Sequence, residues 1–132
     1  MSAHEYTCHV RFSDVDVYGH VNNVKYFEYF QEARLVFLRG LREGVGEHGF
    51  DIVLAQMDVD YRRPILFRPE PYVVRTRVTR VGTSSFGLDS EILDGEQLLS
   101  RASAVLVTFD LARNRSRPLT DRERTQLQEL QD

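Results

Sequence analysis

Apolar and polar positions alternate over residues 5–12, EYTCHVRF, which predicts a first strand, and SDVDVYG then breaks it with Asp and Gly. From Val24 to Leu41 the chain reads VKYFEYFQEARLVFLRGL, with no proline and only a late glycine, which predicts an α-helix of about four or five turns. Asn22 or Asn23 supplies its N-cap. At 100° per residue, Lys25, Glu28, Glu32 and Arg39 fall in one narrow polar stripe, so the pattern predicts a helix buried on most sides and wrapped by a curved sheet. Arg34 breaks that pattern. It projects from the apolar face among Phe27, Phe30, Phe37 and Leu41, where a charge requires a partner; Asp58 or Asp60 is the expected one, with substrate binding as the alternative.

The sheet is expected from residues 52–61, 70–81, 84–93 and 97–109, all rich in β-branched and aromatic side chains. Breaks fall at RRPILFRPEP, VGTS and LDGEQ, and Asp94-Gly95 marks a hairpin between the last two strands. After Pro118, Thr120 and Glu123 have capping-box spacing and predict a short helix over 120–130. The order is one strand, a long helix, then four strands, with hairpin logic making the sheet mostly antiparallel.

Length and composition add limits. The 132 residues fit one α+β domain, 1–132, with no repeat, low-complexity tract or linker. No apolar run is long enough for a spanning helix, and the first residues, MSAHEYTCHVRF, lack the apolar segment of a signal peptide, so a cytoplasmic protein without a membrane partner is expected. A net charge of -3 gives no electrostatic footprint for nucleic acid. Cys8 is the only cysteine, which excludes an internal disulfide; its place in an alternating strand predicts a small buried side chain rather than a nucleophile. His4, His9, His20 and His48 lack ligand spacing for zinc, and no metal is expected.

The densest chemistry lies in DVDVYGHVNN, residues 14–23. A helix start leaves backbone N–H groups unpartnered and carries about half a positive charge, so the Asn23 N–H is placed to stabilise an oxyanion. Asp16, seven residues upstream, is close enough in sequence to fold back toward it, as a nucleophile or as a base for water. By local rules alone the same residues also read as a turn, with Asp14 and Asp16 in the bend, Gly19 supplying a positive φ and the asparagines capping. His20 taken alone reads as a structural hydrogen-bonding histidine rather than a catalyst.

The run VRFSDVDVYGHVNNVKYFEYFQEARLVFL resembles the N-terminal signature of the 4-hydroxybenzoyl-CoA thioesterase family of hotdog-fold acyl-CoA thioesterases, in which D-x-D-x-x-G-H-V-N-N-x-x-Y precedes the central helix. VDYRRPILF and RVGTSSF resemble later segments of that family, and the likeness spans about residues 5–110. It implies a hotdog fold, a long helix wrapped by a curved, mainly antiparallel five-stranded sheet. It also implies hydrolysis of an acyl-CoA thioester, with Asp16 as the catalytic carboxylate and the Asn23 N–H as oxyanion donor. Asp16 either attacks the thioester to give a mixed anhydride or acts as general base. His20 and Asn22 are candidates for orienting the loop or substrate. Tyr18 and Tyr26 are candidates for lining the acyl tunnel, with ordinary core packing as the alternative.

Coenzyme A, part of the substrate rather than a separate cofactor, needs cations and donors for its phosphates. Arg62, Arg63, Arg80, Thr83, Ser84 and Ser85 offer these, with Arg63, Ser84 and Ser85 ranked first and Arg75 and Arg77 expected to be solvated. Exposed sheet edges lead to the expectation of a homodimer with continuous sheet, or a homotetramer, with sites between subunits. Two other functions stand beside the thioesterase: a hotdog hydratase or dehydratase, whose D-x-N-P-x-H signature differs from DVYGHVNN, and a non-catalytic acyl-thioester-binding module, for which Asp16 has no use. The acyl group is not specified by the sequence.

Overall fold

The computed structural model describes residues 3–46 and 49–131; His48 lies outside the described residues. Strand β1 (His4–Cys8) leads into a 3-10 turn (Phe12–Asp14), the long helix α1 (Asn23–Arg42), β2 (Ile52–Tyr61), β3 (Tyr72–Val81), β4 (Ser85–Asp94), β5 (Gln97–Asp110), a two-residue β6 (Arg115–Ser116) and α2 (Asp121–Leu130). The main sheet has the order β1-β3-β4-β5-β2 and every pairing in it is antiparallel. Register shifts at Leu54/Gln56, Val78/Arg80 and Ile92/Leu93 add residues to one strand of a pair, which increases twist and lets the sheet curl. The helix lies in that curl, which gives the hotdog architecture.

Alternation decides what faces the helix. On β3, Tyr72, Val74, Thr76 and Val78 are buried while intervening arginines point outward. Two clusters fill the concave side. One, around Tyr26, Tyr29, Phe30, Ala33 and Ile65, underlies the N-terminal half of α1. The other, around Phe37, Leu38, Phe86, Leu106 and Leu127, joins its C-terminal half to α2. The capping box of α2 is present as predicted, with Thr120 accepting from the Glu123 N–H and Glu123 accepting from the Thr120 N–H. Between β4 and β5 the two-residue loop is Gly95-Glu96, and Gly95 takes φ +60°, which suits the first central position of a tight hairpin.

Several expectations need correction. The first strand ends at Cys8 rather than running to Phe12, because Asp14 turns back to accept from the Arg11 N–H and draws residues 12–14 into a 3-10 turn. The short β6 beside β5 has no counterpart in the sequence pattern. Helix α1 buries one face, not most of its circumference: Val24, Phe27 and Leu35 are 67%, 41% and 48% exposed. Beside that uncovered row lies β2, an edge strand that exposes Val53, Leu54 and Tyr61.

Arg34 has no carboxylate partner among the described residues; its hydrogen bond goes to Met57 Sδ at 4.0 Å. The reason is the two-residue period of β2. Met57 and Val59 pack against the helix cluster, so Asp58 and Asp60 point to the opposite face, where Asp60 binds Arg62 at 2.7 Å. Burial lowers the Arg34 pKa from its ordinary value. Arg75 and Arg77 lie on the outer face as expected, partly exposed and paired with Glu5 and Glu91.

Candidate active site

Asp14, rather than Asp16, is the buried member of the DVD pair. It is 1% exposed and accepts from the Tyr29 hydroxyl at 2.7 Å, the Arg11 N–H at 3.0 Å and the Arg11 guanidinium at 3.1 Å. Burial opposes its charge, but the donors from Tyr29 and Arg11 outweigh it and hold the carboxyl below the usual range. Its backbone carbonyl also accepts from the Asn22 N–H, so Asp14 ties the loop to the start of α1 at both ends.

From that anchor the loop doubles back. The Asp16 N–H donates to the His20 carbonyl at 2.8 Å, and the Gly19 N–H to the Asp16 carbonyl at 3.0 Å. Gly19 sits at φ +76°, which side-chain-bearing residues rarely adopt. The segment 65–67 borders this loop: Val21 N–H bonds Ile65 O, Phe67 N–H bonds Gly19 O, and His20 bridges Leu66. RRPILF thus does more than separate two strands; it walls the loop.

Asp16 Oδ1 accepts from the Tyr18 N–H at 2.9 Å and the His20 N–H at 3.3 Å, which fixes the carboxylate. Among the described residues, Oδ2 has no partner. Asp16 and His20 from the loop, Asn23 and Tyr26 from α1, and Tyr61, Arg62, Arg63 and Pro64 from the end of β2 line one cleft of about 290 Å³. Asn22 is the N-cap, its Oδ1 accepting from the Val24 N–H at 3.0 Å. The Asn23 N–H has no protein acceptor among the described residues and so remains available to a ligand.

The cleft therefore brings Asp16, His20, Asn23, Tyr26 and Arg63 together. Tyr26 is both core and lining: it is 3% exposed, its hydroxyl accepts from the Ile65 N–H at 3.2 Å, and its ring meets Tyr61 edge-on with centroids 4.8 Å apart. Arg63 has no side-chain partner among the described residues, whereas Arg62 is engaged by Asp60. The other sequence candidates lie apart from this cleft within the chain. Tyr18 is 79% exposed at the loop tip, and the Asn22 side chain is occupied as a cap. Ser84 immediately precedes β4 and Ser85 begins it, beside Thr108 and Ile52, at the far end of the sheet; β2 has ten residues, which places them about 30 Å from Tyr61 along the strand direction.

The sequence reading missed Tyr61 and the anchoring function of Asp14. Tyr61 stands immediately before RRP in VDYRRP, and its alternation with Val59 marks it as facing the helix side. For Asp14 the signal was spacing across elements, since its partner Tyr29 is fifteen positions on, in the first turns of the helix. No three His, Cys, Asp or Glu side chains group as a metal site among the described residues, and none of the described helices is long and apolar enough to cross a membrane.

Comparison with known proteins gives the family of the chain. The sequence profile of the thioesterase-like superfamily matches residues 10–127. Long-chain acyl-CoA thioesterase FadM of Escherichia coli (strain K12) is 26% identical over 126 residues, covering 92% of this chain and 94% of FadM. A thioesterase from Thermus thermophilus, solved in complex with coenzyme A and Zn, is 30% identical with a TM-score of 0.80, over 96% of this chain and 92% of its own. A predicted thioesterase from Bacillus stearothermophilus shares the fold, with a TM-score of 0.89 at 23% identity over 99% of this chain and 98% of its own.

Proposed function

The chain belongs to the thioesterase-like superfamily, and from that premise we propose that it hydrolyses an acyl-CoA thioester to a free acid and coenzyme A, using Asp16 and the amino end of α1. The observation that carries this reading is the shared cleft: a carboxylate with one oxygen fixed opens on the same space as the Asn23 N–H, and among the described residues neither its second oxygen nor that N–H has a partner. A scissile carbonyl there has its oxygen at the positive helix end and a base or nucleophile beside its carbon. The acyl-CoA thioesterase FadM among the relatives supports hydrolysis over hydration, and no observation favours a purely binding module.

Arg63, at the cleft and without a side-chain partner among the described residues, is suited to a phosphate of coenzyme A. Ser84 and Ser85 fit the same substrate through a second copy. Pairing edge strand β2 antiparallel with β2 of another chain reverses the sheet, bringing the second copy's Ser84–Ser85 turn to the end that carries the first copy's Asp16. That pairing also covers Val53, Leu54 and the uncovered row of α1, in keeping with a homodimer.

The reading is tested by incubating purified protein with a panel of acyl-CoAs and a thiol reagent. Release of free CoA from saturated substrates is expected; an absorbance change with enoyl-CoA instead, or binding without turnover, would contradict hydrolysis. One turnover in heavy-oxygen water separates the two roles of Asp16, because an anhydride route leaves label in its carboxylate and a general-base route does not.

A further inference from the structure

We propose that Tyr61 holds the hydrolytic water, as its second acceptor together with Asp16. This rests on the hydrolase reading above and takes its general-base form. A water that attacks a carbonyl carbon must direct one lone pair at it, and both of its O–H bonds then need acceptors if the molecule is to be held still. Asp16 Oδ2 is one acceptor. The cleft has to supply another.

Tyr61, at the end of β2, lines the same cleft as Asp16. A phenol has a single proton, and that of Tyr61 is committed: its hydroxyl donates to the Asn23 carbonyl at 2.9 Å. What the hydroxyl presents to the cleft is therefore a lone pair. Edge-on contact with the Tyr26 ring fixes the phenol plane, and Tyr26 cannot take the same part, because it is buried and its hydroxyl already receives the Ile65 N–H. Asn22 is not among the residues that line the cleft, and its Oδ1 caps the Val24 N–H. The bond to Asn23 also ties the water's holder to the residue whose N–H faces the carbonyl oxygen, so nucleophile and oxyanion donor share one rigid support.

The step balances without any further reactant. Water oxygen bonds to the acyl carbon as its proton passes to Asp16 Oδ2, giving a tetrahedral oxyanion at the Asn23 N–H. Collapse breaks the C–S bond, and the departing thiolate takes the proton from Asp16, leaving acid, CoA thiol and the original carboxylate.

The test is Tyr61→Phe, which keeps the ring and removes the acceptor, measured beside the wild type on an acyl-CoA that the wild type turns over. A fall in kcat of about 10- to 100-fold is expected, with KM within about 2-fold and the melting temperature little changed, since the site is 44% exposed. Tyr61→Leu, which removes ring and hydroxyl, should lose at least as much kcat. Wild-type kcat in Tyr61→Phe, or a loss of kcat that only tracks a loss of stability, would overturn the role of Tyr61 and leave the hydrolase reading intact. A wild type that hydrolyses no acyl-CoA overturns the hydrolase reading, and this role with it.

Discussion

Replacing Tyr29 with Phe removes one oxygen atom from the interior and tests how the loop bearing Asp16 is held. The Tyr29 hydroxyl donates at 2.7 Å to the carboxylate of Asp14, whose side chain is fully buried. Losing a hydrogen bond to a buried charged group costs about 2 kcal/mol, since the carboxylate keeps only its Arg11 donors and no water reaches it. For a chain of this size that corresponds to a drop in melting temperature of about 6 to 10 °C. The cost also depends on pH with a definite sign. Asp14 is held below its ordinary pKa in the folded protein, so its ionised form contributes stability above about pH 3.9 that is lost as the pH falls through the lower folded value. The variant depresses that pKa less, so the gap between wild type and variant is full at pH 7 and narrows in acid. Urea unfolding followed by circular dichroism at pH 7 and at stepwise lower pH measures both. A midpoint at pH 7 equal to the wild type's would refute the anchoring, and a gap that widens in acid would refute its electrostatic origin.

The second buried carboxylate gives a parallel result elsewhere in the chain. Burial opposes the charge of Glu123, but the Arg117 guanidinium and the Thr120 and Phe50 N–H groups draw its pKa from 4.5 to about 2; Glu123→Gln should cost about 3 kcal/mol at pH 7 and remove the stability that the wild type loses between pH 4.5 and 2. Part of that loss follows from Phe50, which takes φ +59° while its N–H is held by Glu123 at 2.6 Å. Cys8, its thiol pushed up to about 12 by burial and the Asp14 charge, should resist a disulfide thiol reagent at pH 8 in the folded protein and react in urea; fast reaction of the native protein would contradict its burial.

How much of this is legible in the sequence depends on the range of the signal. Signals confined to a few neighbours read well: β2 over 52–61, the capping box at Thr120 and Glu123, the N-cap at Asn22 and the hairpin after Asp94 are all found. The pattern locates helix α1 within a residue at each end yet overstates its burial, because periodicity gives the apolar faces of a helix and not how many of them one sheet can cover. Arg34 shows the same limit. Its apolar surroundings are correct, but choosing a partner by residue type alone ignores the alternation that turns Asp58 and Asp60 away. In the cleft, Asp16 and Asn23 are legible because one continuous run, residues 16–23, forms both loop and helix start. The Tyr61–Asn23 and Asp14–Tyr29 bonds are not, since each depends on long-range packing; alternation along β2 gives only the side that Tyr61 faces.

The proposed hydrolysis depends on the Asp16 carboxylate, and Asp16→Asn interrogates it with the least disturbance. The amide keeps an oxygen in the place of Oδ1 to receive the Tyr18 and His20 N–H groups, so the loop should stay folded and the melting temperature nearly unchanged. What it loses is the capacity of the second oxygen to take a proton or attack. With an acyl-CoA that the wild type hydrolyses, kcat is predicted to fall by about 100- to 10,000-fold while KM changes little. An Asp16→Asn protein that turns over at the wild-type rate would contradict a catalytic part for this carboxylate.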